Sequence, residues 1–341
     1  MGQQLPSNMN AIVINKFGGP DVFEPTELPV PSPSADEVLI NVRASSVNPV
    51  DWKIRSGFAP FLCPQFPAVL HPDCAGTIVA KGEGVTELEL GDEVYCFASG
   101  LVGRPGALAE YMCADARMVA KKPKNLTFEQ AATLPLVAVT SWICLLQRLS
   151  IRQDIPILIQ GGTGGVGFFA LQLAKAKLSQ HVYATCGSDE KCKVAEGLGA
   201  VQAFNYRTTP VEDMVADATN GEGFGVVFNT PGQASINASV EAAAFGGSIL
   251  DINGTFPTEG NFQTKQLIFA SVFGGYPITH GFDQKLVGDI LRETSSLVED
   301  GRIVPLLDPA HFTFEQVGDA HAHQQNGAPT GKVALTSPWS H

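Results

Sequence analysis

The segment Ile157–Lys175, ILIQGGTGGVGFFALQLAK, constrains the fold more than any other part of the chain. An apolar run, Ile157-Leu158-Ile159, meets a glycine cluster in which Gly162, Gly164 and Gly167 fit G-x-G-x-x-G. Beyond it Val166, Phe169, Ala170, Leu173 and Ala174 recur at i, i+3, i+4, i+7 and i+8, one apolar face of a helix. Strand, glycine turn and helix in this order form a dinucleotide fingerprint. Gly162 is expected to allow the tight turn, Gly164 to let the backbone approach a pyrophosphate, and Gly167 to let the helix pack on the strand. Thr163, Gly165 and Val166 complete the loop. The helix N-terminus then offers unpaired N–H groups and a partial positive charge to phosphates.

Repeated strand–helix alternation continues downstream. His181–Thr185 leads to a helix capped by Ser188 or Asp189, and Val201–Phe204 to a helix over about Val211–Ala218. Val226–Phe228 is followed by a helix over Ala234–Ala244 and then the run Ser248–Ile252. Such βαβ units imply a doubly wound parallel sheet with helices on both faces. Pro156 is placed at the start of its strand, where it deletes no ladder bond. Residues 10–125 read differently, as a mostly β domain, with short runs such as Val38–Val42 and Gly76–Ala80 between Gly and Pro turns. A capping box at Thr127 and Gln130 opens the helical region. A helix over Gln284–Asp300 follows, and the last strand, Lys332–Leu335, is expected to return to the first domain.

At 341 residues the chain is long for one core, so two domains are expected. Twenty-two basic against 34 acidic residues give a net charge of −12 with no basic cluster, which argues against nucleic acid and anionic membrane partners. No uninterrupted apolar stretch of spanning length exists, and the first ten residues do not read as a signal peptide. Seven dispersed cysteines without C-x-x-C fit reduced thiols in a cytoplasmic protein.

The chain resembles the zinc-free quinone oxidoreductase branch of the medium-chain dehydrogenases/reductases over about Met9–Leu335. Three motifs carry the likeness. One is Ser46-Val47-Asn48-Pro49-Val50-Asp51-Trp52-Lys53 with Arg55-Ser56-Gly57, and another is Asp73-Cys74-Ala75-Gly76 with Gly91-Asp92-Glu93-Val94-Tyr95. The third is Leu134-Pro135 and Thr140-Ser141-Trp142, leading to the glycine loop, with Gly331-Lys332-Val333 closing the chain. The resemblance implies an α/β protein: a GroES-like, β-rich catalytic domain (1–133 and 281–341) interrupted by a Rossmann NADP-binding domain (134–280). It also implies an active site in the cleft between the two domains and a homodimer.

Zinc-dependent relatives carry a ligand cysteine where this chain has Asn48 and a ligand histidine where it has Pro72, and four clustered cysteines that are missing here. Amide and proline supply neither thiolate nor imidazole, so no metal is expected. His71, beside the lost ligand, reads as a structural hydrogen-bonder. Without a Lewis acid, reduction of an electron-poor acceptor is favoured over alcohol oxidation. A quinone or α,β-unsaturated carbonyl suits this, since hydride addition gives a delocalised oxyanion. Asn48 and Lys53 are the candidate donors to that oxygen, with Asn48 equally readable as an asparagine that fixes its own loop before Pro49. Asp51 is expected to orient Lys53 or a loop backbone, Thr140 to contact nicotinamide or ribose, and Trp52, Phe58, Phe61 and Phe66 to line an apolar pocket.

NADPH is the expected cofactor. The acidic residue of NAD-selective sites falls roughly 20 residues past the last glycine, and that place is held by Cys186. Ser188 and Lys191 are positioned to meet a 2′-phosphate, and in the resembling family Tyr206 often flanks it. An enoyl-thioester reductase and a non-catalytic NADPH-binding protein are the alternatives.

Overall fold

The computed structural model describes residues 5–149, 151, 154–327 and 329–339. The chain forms two compact units, Met1–Leu136 with Gly275–Asp300 and Leu307–His341, and Val137–Gly274 with Gly301–Leu306.

The first unit is built on antiparallel strands: β1 (Asn8–Ile14), β2 (Phe23–Pro29), β3 (Glu37–Ser46), β4 (Asp73–Lys81), β5 (Glu93–Phe97), β6 (Tyr111–Asp115), β7 (Val119–Lys121), β14 (Phe312–Thr313) and β15 (Ala334–Thr336). Strands β1 and β2 pair alone, and the others form a sheet ordered β14-β15-β3-β4-β5-β7, with β6 also on β3. The C-terminal strand does return to the N-terminal sheet, with Ala334 opposite Ser46. Its helices are α1 (Pro49–Arg55), α2 (Phe128–Ala132), α8 (Tyr276–His280), α9 (Gln284–Glu299) and α10 (Val317–Gln325), while α3 (Pro135–Trp142) crosses into the second unit. The capping box is present: Gln130 N–H donates to Thr127 Oγ1 at 3.2 Å, and Thr127 N–H to Gln130 Oε1 at 3.0 Å.

The second unit holds β8 (Ile157–Gln160), α4 (Gly165–Lys177), β9 (Val182–Cys186), α5 (Asp189–Gly197), β10 (Gln202–Asn205), α6 (Val211–Thr219), β11 (Phe224–Asn229), α7 (Ile236–Ala242), β12 (Ala243–Asp251) and β13 (Ile268–Ser271). Its six strands are all parallel in the order β10-β9-β8-β11-β12-β13. This is the doubly wound Rossmann order, which reverses between β8 and β11. Every residue of β8 and β9 is buried, as expected of strands covered on both faces. Leu158, Tyr183, Phe204, Phe224, Val227 and Ile249 form the core on one face. The expected helix over Ala234–Ala244 ends at Ala242, because Ala243 is already paired with Phe224 of β11. Gly301–Leu306 belongs to this unit because Val304 exchanges two hydrogen bonds with the buried Gln172 amide of α4, at 2.9 and 3.0 Å.

One helical run, Phe128–Gln147, is long and apolar enough to cross a membrane, with a mean hydropathy of 1.4. Some 72% of it is buried within the protein, as in a core helix. All seven cysteines are free thiols.

Candidate functional site: a cofactor cradle and a buried charge network

In the glycine loop the positive φ (+72°) falls on Gly161, so the tight turn belongs there and not, as expected, to Gly162. Gly162 answers to packing instead, since a methyl there would lie 2.6 Å from Ala184 Cβ. A methyl at Gly167 would lie 2.0 Å from the Gly161 carbonyl oxygen, so this residue lets α4 close on the strand. Gly164 is different. A Cβ there would meet a single atom, the Gly161 oxygen at 3.2 Å, a tight contact but much the mildest of the three. Gly164 is also the N-cap of α4 and makes no side-chain cap, so the first turn of the helix keeps N–H groups for an anion. The cradle therefore fits a pyrophosphate. Thr163 is buried in this loop, and burial pushes the Cys186 thiol at the end of β9 up to about 12.

At the tip of the second strand of this sheet, Ser188 caps α5 by accepting the Lys191 N–H at 3.3 Å. Half-buried Lys191 lies one turn into the helix. Tyr206 is exposed, and its hydroxyl lies beside Gly187. Arg207 stacks its guanidinium 6.0 Å from the Tyr206 ring and adds a cation that sequence reasoning left out. Asp189 is turned toward the neighbouring strand, where Asn205 Nδ2 donates to it at 2.7 Å. The Glu190 carboxyl is held below the usual range by its own backbone N–H and then by the Ser188 hydroxyl. Thr140 is buried on α3 against Gly274, whose absent side chain leaves it room.

In the first unit the α1 motif is built into a buried network. Asn48 is the N-cap of α1, and its N–H donates to Asp51 Oδ2 at 2.7 Å. The Asp51 carboxyl thus holds the backbone at the start of α1. Its other oxygen has no hydrogen-bond partner, and burial pushes the carboxyl well above the usual range. The Asn48 side chain is engaged on both sides: Nδ2 donates to Asp73 Oδ2 at 2.8 Å, and Oδ1 accepts from Lys332 Nζ. It is buried and is not the open amide donor expected from the sequence. Lys332 Nζ also donates to the Val47 carbonyl at 2.9 Å and stands 3.4 Å from Asp73 Oδ2. Ser46 Oγ (2.7 Å) and the Leu136 N–H (2.8 Å) complete the shell of Asp73. Burial lowers the Lys332 pKa, and the Asp73 and Asp51 carboxylates oppose that shift. Lys53 is half-buried on α1, 6.0 Å from the Trp52 ring. Phe58 and Phe61 are three-quarters exposed, and Phe66 packs edge-on against Phe17.

The donors around Lys332 Nζ are two neutral oxygens and one carboxylate. They include no thiolate or imidazole, and an ammonium fills the space between them, so this corner does not fit zinc. His71 points elsewhere: its Nε2 is 2.9 Å from His321 Nε2, and its Nδ1 is 3.3 Å from Ser45 Oγ. Because Ser45 donates its own proton to the Asp73 carbonyl, it must accept from His71 Nδ1–H. His71 Nε2 is then the acceptor and His321 Nε2–H the donor, which agrees with the unpartnered His321 Nδ1. Among the described residues, no group of three or more His, Cys, Asp or Glu is placed to hold a metal ion.

Sequence reasoning missed Asp73, His321 and the role of Lys332. The available signal was a lysine opening an otherwise apolar strand.

Two family models match the chain: the alcohol dehydrogenase GroES-like domain over residues 34–124, and the zinc-binding dehydrogenase domain over residues 165–272. The chain is 32% identical to 2-methylene-furan-3-one reductase of Solanum lycopersicum, over 97% of this chain and 80% of that protein. It is 33% identical to the chloroplastic NADPH-dependent alkenal/one oxidoreductase of Arabidopsis thaliana, with the same two coverages. The crystal structure of Escherichia coli quinone oxidoreductase complexed with NADPH superposes with a TM-score of 0.83 at 26% identity, covering 96% of this chain and 99% of that one. The chain therefore belongs to the quinone oxidoreductase branch of the medium-chain dehydrogenase/reductase superfamily.

Proposed function

We propose that this chain is an NADPH-dependent, metal-independent oxidoreductase that delivers hydride to a quinone or an α,β-unsaturated carbonyl. The observation that carries the reading is the glycine loop after β8, whose Gly164 is the N-cap of α4 and leaves the helix N-terminus without a side-chain cap. Bound there, NADPH supplies the hydride, and the protein supplies orientation and polarity. Ser188, Lys191, Tyr206 and Arg207 form the 2′-phosphate end. The tomato and Arabidopsis relatives are named for enone-type acceptors, and the E. coli structure holds NADPH. Lys53 is the candidate donor to the acceptor oxygen, and Asn48 and Asp51 hold the start of its helix. The exposed rings of Phe58 and Phe61 offer apolar surface to a flat acceptor.

Loss of NADPH absorbance with a para-quinone, an alkenal and an enoyl thioester tests the assignment. Turnover of the first two without metal supports it. Turnover confined to the thioester moves the chain to the enoyl reductases, and binding without turnover makes it a cofactor-binding protein. Stoichiometric zinc lost together with activity on chelation overturns metal independence.

We further propose a cytoplasmic homodimer. The free, mostly buried thiols support the first part, testable by cell fractionation. The second rests on edge strand β13 with exposed Ile268, testable by sedimentation equilibrium.

A further inference from the structure

The carboxyl ends of the parallel strands carry one register line of polar residues. Thr185 pairs with Gln160, Gln160 with Asn229, Asn229 with Asp251, and Asp251 with Ser271. The first four are buried, Asn229 and Asp251 completely. Among the described residues no cation pairs with Asp251, and four neutral donors bond it. Asn229 Nδ2 (2.9 Å) and Thr255 Oγ1 (2.7 Å) bond Oδ1, and the Asn253 and Thr255 N–H groups (3.0 and 2.9 Å) bond Oδ2. Asn229 Oδ1 in turn accepts from the Gly232 N–H and Ser235 Oγ, at 3.2 and 2.6 Å. Asn253 Nδ2 donates to the Thr230 carbonyl at 2.9 Å, and Thr230 Oγ1 to the Gln160 carbonyl at 2.7 Å. The loops after β8, β11 and β12 are thereby stitched into one piece through Asn229 and Asp251.

A dinucleotide with its pyrophosphate on the loop after β8 and its adenosine end at Ser188 and Tyr206 uses the β8–β9–β10 half of the sheet. Its other half runs across β11 and β12, in the crevice where the strand order reverses. We infer that the Asn229–Asp251 pair is a positioning device that fixes the 230–235 and 252–255 loops under the nicotinamide half of NADPH, and so sets the distance and angle of hydride transfer. The inference rests on the NADPH reading.

Asp251→Asn tests it. Whichever way the amide lies, its NH2 faces two donors, so the stitch opens while side-chain volume changes little in the core. Affinity is measured for NADPH and for 2′,5′-ADP, which occupies the adenosine end only. NADPH affinity is expected to fall roughly tenfold, the scale of one lost hydrogen bond to a charged group, with 2′,5′-ADP affinity unchanged. The kcat should fall with it, and the isotope effect with NADPH deuterated at the transferred position should rise. Thr255→Val removes one donor and keeps both backbone bonds, and should shift the same quantities in the same direction but less, even where Asp251→Asn folds poorly. Equal loss of both ligands, or wild-type NADPH affinity and kcat in both variants, overturns the inference. A wild-type protein that binds neither ligand overturns the NADPH reading and this inference with it.

Discussion

Lys332→Met probes the buried network most directly, because it removes the ammonium and keeps most of the stem. The lysine and Asp73 side chains are 3% and 0% exposed. Removing one partner of a buried pair costs about 3–5 kcal/mol, because the other charge is stranded. Asp73 keeps Ser46 Oγ, Asn48 Nδ2 and the Leu136 N–H, which favours the low end. The Val47 carbonyl and Asn48 Oδ1 each lose a donor, which restores part of the cost. The expected loss is about 4 kcal/mol. Urea unfolding of wild type, Lys332→Met, Asp73→Asn and the double variant measures it. The double variant should cost less than the sum of the singles by about 1–3 kcal/mol, since neutralising both groups strands neither charge. A Lys332→Met protein within about 1 kcal/mol of wild type, or strict additivity of the two changes, would refute the account of a charge held in place by its neighbours.

Gly164→Val should abolish NADPH binding and leave the unfolding transition near that of wild type, whereas Gly167→Val should destabilise the protein whether or not cofactor is present; equal destabilisation by the two, read by thermal unfolding, counts against the cradle. Lys191→Ala should raise KM for NADPH and leave KM for NADH unchanged in steady-state assays; a proportional rise in both would remove Lys191 from the 2′-phosphate site. Burial holds His71 at about 3 and His321 well below its ordinary value, so the unfolded chain takes up protons that the folded one refuses as pH falls from about 6.5 toward 3. Stability is therefore lost over that window, by up to about 1.4 kcal/mol per pH unit for each histidine. His321→Phe should remove close to half of this slope in urea midpoints between those limits, the opposing contribution of Asp51 being common to both proteins; parallel slopes would contradict it.

The Rossmann half was legible because its signals are local. The glycine spacing, the period of α4 and the buried runs of β8 and β9 each lie within one window. The error there was also local: spacing named Gly162 as the turn, but only coordinates show that Gly161 adopts positive φ while Gly162 yields to Ala184. In the first unit the motif Asn48–Lys53 is visible in the sequence, but the choice between an open amide donor and a loop-fixing asparagine at Asn48 is not. The partners that engage Asn48 come from β4 and from Lys332, 284 positions away. No spacing rule joins residues so distant, and a buried lysine looks like an exposed one until its strand is placed. The His71–His321 pair, 250 positions apart, was hidden for the same reason.

The network also explains which acceptors this site can serve. An open metal site activates a substrate because a coordination position is left for it. Lys332 leaves none: its ammonium is directed at Val47, Asn48 and Asp73, all buried with it. It can fix the start of α1 but cannot polarise a substrate oxygen. The positive charge in this corner is structural, and under the proposed function Lys53, farther along the helix, is the group left to meet the acceptor oxygen. An alcohol needs its proton removed before hydride leaves, and the Lys332 ammonium, engaged by Val47, Asn48 and Asp73, is not placed to stabilise the alkoxide. A quinone or enone carries its electron demand in its own conjugated system, so orientation over a well-placed nicotinamide supplies most of what is needed.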